Sequence, residues 1–198
     1  MLPSHTGSGA RNQRVTLGAL VLYIGSIIAA NYLIVHGMPG ATPTPFHTYT
    51  LPTLFGLVCP AGTYMAALTF PLRDIGQRTG GRWVGILAIV LAAVVSWWVS
   101  DPVIAIASGG TFLISESMDF LLYTPLQDRI GFPRAVVVSS TVAAIVDSLV
   151  FLQWSGIGYG HGELAGLIVA KLLIVVPLGY AMSAGLRRVL ARPQEVAR

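Results

Sequence analysis

Six apolar runs, each close to the length of a membrane-spanning helix, constrain this chain more than any other feature of its sequence. A bilayer core takes roughly 17–25 helical residues to cross. Backbone groups in lipid must hydrogen-bond within their own segment, which favours helices over isolated strands. Only 10% of the residues are charged, against roughly 25% in soluble domains. The sequence therefore predicts an all-α membrane protein with six transmembrane helices in one bundle, over residues 15–35, 51–72, 83–100, 104–123, 135–153 and 164–186.

Basic residues alternate between the connections and predict the topology. Lys or Arg occurs before the first run and after the second, fourth and sixth runs, whereas the other connections have none. Because cytoplasmic connections are enriched in Lys and Arg, we expect both termini in the cytoplasm. The predicted divisions are a disordered cytoplasmic tail over 1–13, a transmembrane domain over 14–188 and a cytoplasmic tail over 189–198. The basic residues assigned to the cytoplasmic end of the second run are Arg73, Arg78 and Arg82.

Polar side chains inside the apolar runs are the candidate functional groups. An acid in a bilayer core costs roughly 2.5–3.5 kcal/mol by insertion scales, so it needs a polar partner. Glu116 and Asp119 are three residues apart, on one helix face. From the helical rise, Asp147 and Lys171 lie at similar depths and can pair, whereas Glu116 has no basic residue at its own depth. We expect a polar cavity lined by Asn31, Glu116, Asp119, Asp147 and Lys171.

Structural explanations of the same residues stay open at this point. Asp147 and Lys171 are also compatible with a purely structural ion pair, and Asn31 with hydrogen bonding between helices. Asp119 is also compatible with a solvated position at the lipid headgroups. For Glu116 a ligand or proton role is favoured, because it lies deeper than Asp119.

Enzyme motifs are absent from the sequence. His-Glu-x-x-His, Gly-x-Ser-x-Gly and Gly-x-x-x-x-Gly-Lys-[Ser/Thr] do not occur, so we expect neither an enzyme nor nucleotide hydrolysis by a P-loop. Most basic residues lie in the connections, which argues against a nucleic-acid partner. No cofactor is expected. No metal site is expected either, because the loop histidines share no ligand spacing: His36, His47 and His161.

The order and spacing of several segments resemble the queuosine precursor transporters, also described as the vitamin-uptake-transporter-like family. The resemblance covers roughly residues 18–186. It implies an inner-membrane protein that imports a 7-deazaguanine such as preQ0 or preQ1. It also implies a fold similar to the substrate-binding subunits of energy-coupling-factor vitamin transporters, without need of their energising module. The matching segments are Ala30-Asn31, Leu68-Thr69-Phe70-Pro71-Leu72-Arg73-Asp74-Ile75 leading to Gly80, Ser115-Glu116-Ser117-Met118-Asp119, Ser139-Ser140 through Asp147-Ser148-Leu149-Val150-Phe151, and Lys171 with Pro177.

The implied substrate class suggests particular contacts. A deazaguanine presents a ring N–H beside an exocyclic amine, and this pair of donors suits one carboxylate, Glu116 or Asp147. Asn31 or Lys171 is the candidate donor to the ring carbonyl. Aromatic side chains commonly cover flat ligands in pockets. The candidates for this contact include Phe112 and Phe151.

One position departs from the family pattern. Arg78 stands where an acidic residue is expected, so the candidate gate formed by Asp74 and Arg78 differs from that pattern. A second hypothesis is a vitamin-specificity subunit that requires a partner ATPase and docks through small residues of the first run. A third is a structural membrane protein with no solute. The sequence leaves open whether the unit is a monomer or a homodimer. The small residues of the first run are Gly18, Ala19, Gly25 and Ala29.

Overall fold

Six helices and a small antiparallel sheet make up the part of the chain that the computed structural model describes, residues 6–45, 47–100, 105–155 and 161–191. The helices are α1 (Thr6–His36), α2 (Thr63–Gly80), α3 (Arg82–Val99), α4 (Ala105–Ile130), α5 (Phe132–Ser155) and α6 (His161–Ala191). Three strands lie between α1 and α2 and pair in the order β1-β2-β3: β1 (Thr42–Pro43), β2 (Tyr49–Pro52) and β3 (Val58–Pro60).

Four of the helices, α1, α3, α5 and α6, are long and apolar enough to cross a membrane, by length and composition. The other two, α2 and α4, contain more ionisable and hydroxyl side chains. The predominance of helices and these four apolar candidates are consistent with the predicted all-α membrane protein.

The prediction of a second helix over residues 51–72 is wrong for its first half. Residues 49–60 form strands β2 and β3, joined by a turn in which Phe55 has a φ of 61° and Gly56 a φ of 71°. Helix α2 begins only at Thr63. Each strand ends at a proline, Pro52 or Pro60, which has no N–H for a helical ladder. Apolar composition alone therefore does not specify a helix in this segment.

Residues 6–13, which the sequence assigns to a disordered tail, form the first turns of α1, which begins at Thr6. Hydrophobicity marks only the apolar part of a helix, whereas its hydrogen-bond ladder can extend into neighbouring polar residues that favour the helical conformation. No proline occurs between residues 4 and 38. The predicted C-terminal tail likewise continues α6 as far as Ala191. Residues 1–5 and 192–198 of the two predicted tails lie outside the described residues.

Helix α2 is the central helix of the bundle, since it contacts each of the other five helices. Its residues from Thr69 to Gln77 are buried without interruption. A helix covered on every face is normally apolar all round. This segment instead includes Arg73 and Asp74, and buried charges need partners inside the protein.

Close backbone contacts hold the sheet against the helices. Gly62, directly before α2, faces the carbonyl of Ala30 in α1, and Gly166 of α6 faces the carbonyl of Val58 in β3. A Cβ atom at either glycine would overlap the facing carbonyl oxygen. The segment between α1 and α2 is therefore packed into the bundle.

We predict that Gly166→Ala destabilises the protein, because the new methyl group collides with the Val58 carbonyl. Overpacking of this kind costs about 1–3 kcal/mol. The matched control is Gly25→Ala in α1, where a Cβ meets nothing within 4 Å and the substitution is expected to be neutral or slightly stabilising. Thermal unfolding in detergent measures both. Equal midpoints for the two variants would contradict the packing of β3 on α6.

Candidate functional site

A cavity lies between helices α1, α2, α4, α5 and α6, next to the end of strand β3. The void measures about 520 Å³, including the part open to solvent. The centre of a water molecule can occupy about 60 Å³ of it, several times the roughly 10–15 Å³ that one water needs. Mostly apolar walls with a few polar groups are typical of small-molecule sites. The apolar wall includes Ala30, Ile34, Pro60, Ala66 and Leu167.

The structure brings five of the seven predicted contact residues together at this cavity. The remaining two, Glu116 and Asp119, are buried elsewhere in the bundle, beyond the cavity wall. The five that line the cavity are Asn31 of α1, Phe112 of α4, Asp147 and Phe151 of α5, and Lys171 of α6.

Asp147 and Lys171 form an ion pair at the cavity wall, which confirms the pairing predicted from their depths. The Lys171 ammonium contacts Asp147 Oδ2 and also donates to Ser148 Oγ at 3.0 Å. Ser115 of α4 donates to the other carboxylate oxygen, Oδ1, at 2.8 Å. The pair therefore joins α4, α5 and α6, and the same two side chains border the cavity.

Asn31 connects three helices through its amide. Its Oδ1 accepts hydrogen bonds from Ser100 Oγ at 2.6 Å and from Ser108 Oγ at 2.9 Å. Its Nδ2 donates to Ile27 O at 3.0 Å and to Ser96 Oγ at 3.4 Å. Both amide hydrogens thus have acceptors within the protein. This geometry favours the role between helices, and in this conformation it leaves Lys171 as the better placed donor to a ligand carbonyl.

Glu116 and Asp119 surround the guanidinium of Arg73, in the middle of α2. Arg73 Nε donates to Glu116 Oε2 at 3.2 Å, and Arg73 Nη2 lies 2.7 Å from Asp119 Oδ2 and 3.2 Å from Asp74 Oδ1. Hydrogen-bond geometry is satisfied at Nε, whereas the two Nη2 contacts are ion pairs by distance alone. All four side chains are fully buried. We call these four residues the Arg73 cluster.

The Arg73 cluster corrects two expectations. Glu116 does have a basic residue at its depth, and Asp119 is inaccessible to solvent, so it does not occupy a solvated position. Both errors follow from the start of α2. A helix beginning near residue 51 places Arg73 at its end, among the cytoplasmic basic residues, whereas a helix beginning at Thr63 places it centrally. The prolines at 52 and 60 are the sequence signal that could have corrected this.

Polar contacts extend from the Arg73 cluster toward the end of the bundle where α2 terminates. Arg73 Nη1 donates to Gln77 Oε1 at 3.3 Å, and Gln77 Nε2 donates to Thr124 Oγ1 at 3.1 Å. On the side of α5, Ser140 donates to Asp119 Oδ2 at 3.2 Å. The cluster is thus linked to α2, α4 and α5 by hydrogen bonds.

Several buried polar atoms around the cluster have no hydrogen-bond partner among the described residues. They include both carboxylate oxygens of Asp74, Oε1 of Glu116 and Oδ1 of Asp119. The hydroxyls of Tyr23 and Tyr123 are also buried and have no hydrogen-bond partner among the described residues. A buried polar group normally has a partner, so this side of the cluster offers unused hydrogen-bonding capacity.

The two candidate gate residues do not meet in this structure. Asp74 lies within the Arg73 cluster and is fully buried, whereas Arg78 is exposed. Arg78 Nη1 donates to Gln127 Oε1 at 3.4 Å, and its guanidinium lies 5.8 Å from the ring centroid of Phe132. The partner of Asp74 is instead Arg73.

The chain matches no protein-family model, no curated protein and no solved structure. Within residues 6–45, 47–100, 105–155 and 161–191, no group of three His, Cys, Asp or Glu side chains converges as metal ligands would. The site must therefore be interpreted from its own geometry.

We predict that Arg73→Met strongly destabilises the fold, because it leaves three buried carboxyl groups without their counter-charge. Breaking a buried ion pair in this way costs about 3–5 kcal/mol, which lowers the unfolding midpoint by on the order of 10 °C. The matched control is Arg129→Met, on an exposed residue at the end of α4. The double variant Arg73→Met with Asp119→Leu is expected to recover part of the loss. Wild-type stability of Arg73→Met would refute the central role of this cation.

Proposed function

We propose that this protein is an integral membrane transporter that imports a queuosine precursor, a 7-deazaguanine such as preQ0 or preQ1, through its central polar cavity. The observation that carries the proposal is the Asp147–Lys171 pair at the wall of an otherwise mostly apolar cavity, with Phe112 and Phe151 in the same wall. A flat base with adjacent donors and a carbonyl needs this combination of groups.

The chemistry of recognition follows from these side chains. The Asp147 carboxylate accepts from the ring N–H and the exocyclic amine, a bidentate and charge-assisted contact. Lys171 donates to the ring carbonyl, and its charge offsets that of Asp147 when the base enters. The rings of Phe112 and Phe151 cover the base. Glu116, which the sequence favours equally with Asp147, is engaged by Arg73 away from the cavity.

The cavity is partly open, and in this conformation the centre of a water molecule can occupy about 60 Å³ of it. Ligand sites commonly measure about 300–1,000 Å³. The proposal therefore requires the walls around the Asp147–Lys171 pair to move apart when the base enters.

In this proposal all six helices cross the inner membrane, with both termini in the cytoplasm. Helices α2 and α4 are less apolar than the other four, but their ionisable groups in the interior are matched within the Arg73 cluster. Removing Arg73 from the count of loop charges leaves Arg78 and Arg82 between α2 and α3, which still favours a cytoplasmic location for that connection. The lipid bilayer and a purine-like base are the partners implied.

A specificity subunit that works with a partner ATPase is the second candidate, and one observation favours it. Gly18 and Gly25 lie seven residues apart on α1, both are exposed, and a Cβ at either meets nothing within 4 Å. Small residues of this kind permit close helix docking within a membrane. Uptake that requires a co-purifying ATPase would establish this second function in place of autonomous transport.

We predict that Asp147→Asn weakens binding of preQ0 and preQ1 to the purified protein by about 10- to 100-fold. A hydrogen bond to a charged group contributes about 1.5–3 kcal/mol, and every 1.4 kcal/mol is a factor of about ten. Isothermal titration measures the affinity, and queuosine in the tRNA of a precursor-starved host measures uptake.

The matched control for this prediction is Asp128→Asn, the same chemical change on an exposed residue of α4. It is expected to leave affinity and uptake unchanged. Unaltered binding by a folded Asp147→Asn variant would remove Asp147 from the site. Binding of a vitamin in place of either deazaguanine would instead support the specificity-subunit hypothesis.

A further inference from the structure

The Arg73 cluster contains more acid than base. Three carboxyl groups, on Asp74, Glu116 and Asp119, surround one guanidinium, and none of the four side chains reaches solvent. With every group ionised, the cluster would carry a formal charge of −2, from three anions and one cation. Buried charges that lack a counter-ion are neutralised in practice, by a proton or by a bound cation.

A buried tyrosine of α1 provides a second indication that the interior near the cluster has unused hydrogen-bonding groups. The Tyr23 hydroxyl of α1 is fully buried and has no hydrogen-bond partner in the described part of the chain. Tyr23 belongs to the same packed group of buried side chains as Leu72, the neighbour of Arg73 in α2, and Phe112 of α4. Neither oxygen of Asp74 has a hydrogen-bond partner there either. A buried phenol can donate one hydrogen bond to an ionised carboxylate.

The arrangement favours a proton over a metal ion as the neutralising species. The Arg73 guanidinium lies between the carboxylates, at 2.7–3.2 Å from all three. A metal ion in that position would be repelled by the fixed positive charge. Across the described ranges, no three acidic, histidine or cysteine side chains converge on a common point that could hold a metal. A proton on one carboxyl oxygen needs no such convergence.

We propose that the Arg73 cluster is a dissociable proton site that couples proton movement to movement of the solute, an inference that rests on the transport function proposed above. The cluster accepts a proton on one carboxylate when it faces the cavity side. It releases that proton when it faces the end of the bundle near Gln77 and Thr124. The proton and the solute travel in the same direction.

Ser115 contacts Asp147 at the cavity wall and directly precedes Glu116 of the cluster in α4. Its hydroxyl lies 2.8 Å from both Asp147 Oδ1 and the carbonyl of Thr111. Because a hydroxyl has one hydrogen, it can donate to only one of these acceptors at a time. When a base occupies the Asp147 oxygens, the Ser115 hydrogen turns to Thr111. Ser115 is the neighbour of Glu116 on α4, so occupation of the cavity changes the polar environment directly beside the cluster.

The proton balance is simple, since no bond to the solute forms. On the cavity side, a hydronium ion transfers a proton to a cluster carboxylate, and an O–H bond forms. On the opposite side, that O–H bond breaks and the proton passes to water that enters near Gln77. The Gln77 side chain contacts both Arg73 Nη1 and Thr124. The carboxylate left behind is again paired with Arg73.

The ionisable groups facing the cluster come from five helices. Helix α1 supplies Tyr23, α2 supplies the pair at positions 73 and 74, and α4 supplies Glu116, Asp119 and Tyr123. Asp147 of α5 and Lys171 of α6 follow at the cavity. The charged residue of α3, Arg82, is exposed at its first position and does not face the cluster. Lys171 is itself paired with Asp147, so in the described part of the chain Arg73 is the cation in ion-pair contact with the three cluster carboxylates.

The test uses the full chain in liposomes with preQ0 as the probe and a pH gradient, acidic on the side from which the solute is taken up. One proton per solute supports up to about tenfold accumulation for each pH unit, because the proton ratio changes tenfold. We expect this accumulation to collapse with a protonophore, and a pH dye in the lumen to report acidification that depends on preQ0. Glu116→Gln and Asp74→Asn are expected to bind preQ0 but to lose the dependence on the gradient, whereas Asp128→Asn keeps it.

Failure of this inference is distinguishable from failure of the transport function. Uptake of preQ0 that ignores the pH gradient in wild-type protein overturns the proton site and leaves the transport proposal intact. If preQ0 does not bind at all, infrared spectroscopy of the purified chain decides the proton question without a solute. The wild type at neutral pH is expected to show a carboxylic-acid C=O band that Glu116→Gln or Asp74→Asn diminishes and Asp128→Asn does not. Absence of that band in the wild type overturns the proton site.

Discussion

The burial of one guanidinium among three carboxyl groups is the interaction on which the rest of this structure depends. Desolvating ions costs several kcal/mol each, so such a group persists only where the geometry of its partners compensates. Arg73 lies on the helix that contacts all the others, and its partners lie on α2 and α4. The cluster therefore sets the register of α2 against α4, and Ser140 extends this constraint to α5.

The interior contains two groups of polar side chains, the Asp147–Lys171 pair and the Arg73 cluster, and they differ in their access to solvent. The Asp147–Lys171 pair borders a space that a small molecule can enter, whereas the Arg73 cluster is sealed from solvent. Ser115 and Glu116 are adjacent on α4, and each hydrogen-bonds with a member of one group. In the proposed transport cycle, a solute bound at the Asp147–Lys171 pair would lie close to the Arg73 cluster. This proximity supports the proposal that solute and proton movement are coupled.

The sheet between α1 and α2 explains how irregular backbone is accommodated beside the cavity. Non-helical segments are tolerated near membrane depth only where the protein covers them or where they line a cavity. Here the strands pair with one another, glycines at 62 and 166 admit their close approach to helices, and Pro60 lines the cavity. The apolar segment over residues 49–60, which forms strands and not a helix, thereby contributes to the wall of the cavity.

Local sequence properties determined the helical class, the number of helices and the polar residues of the interior. Hydrophobic runs specify helices wherever no proline intervenes, and depth along those runs was enough to pair Asp147 with Lys171. The start of α2 has a local signal in Pro52 and Pro60, whereas tertiary structure alone decided the central position of Arg73 and the separation of Glu116 from the cavity. These depend on strand pairing between residues 49 and 60, and on the matching of charges between α2 and α4. Such long-range contacts leave no periodic signal in a single sequence, because they are specified by distant partners and not by neighbours along the chain.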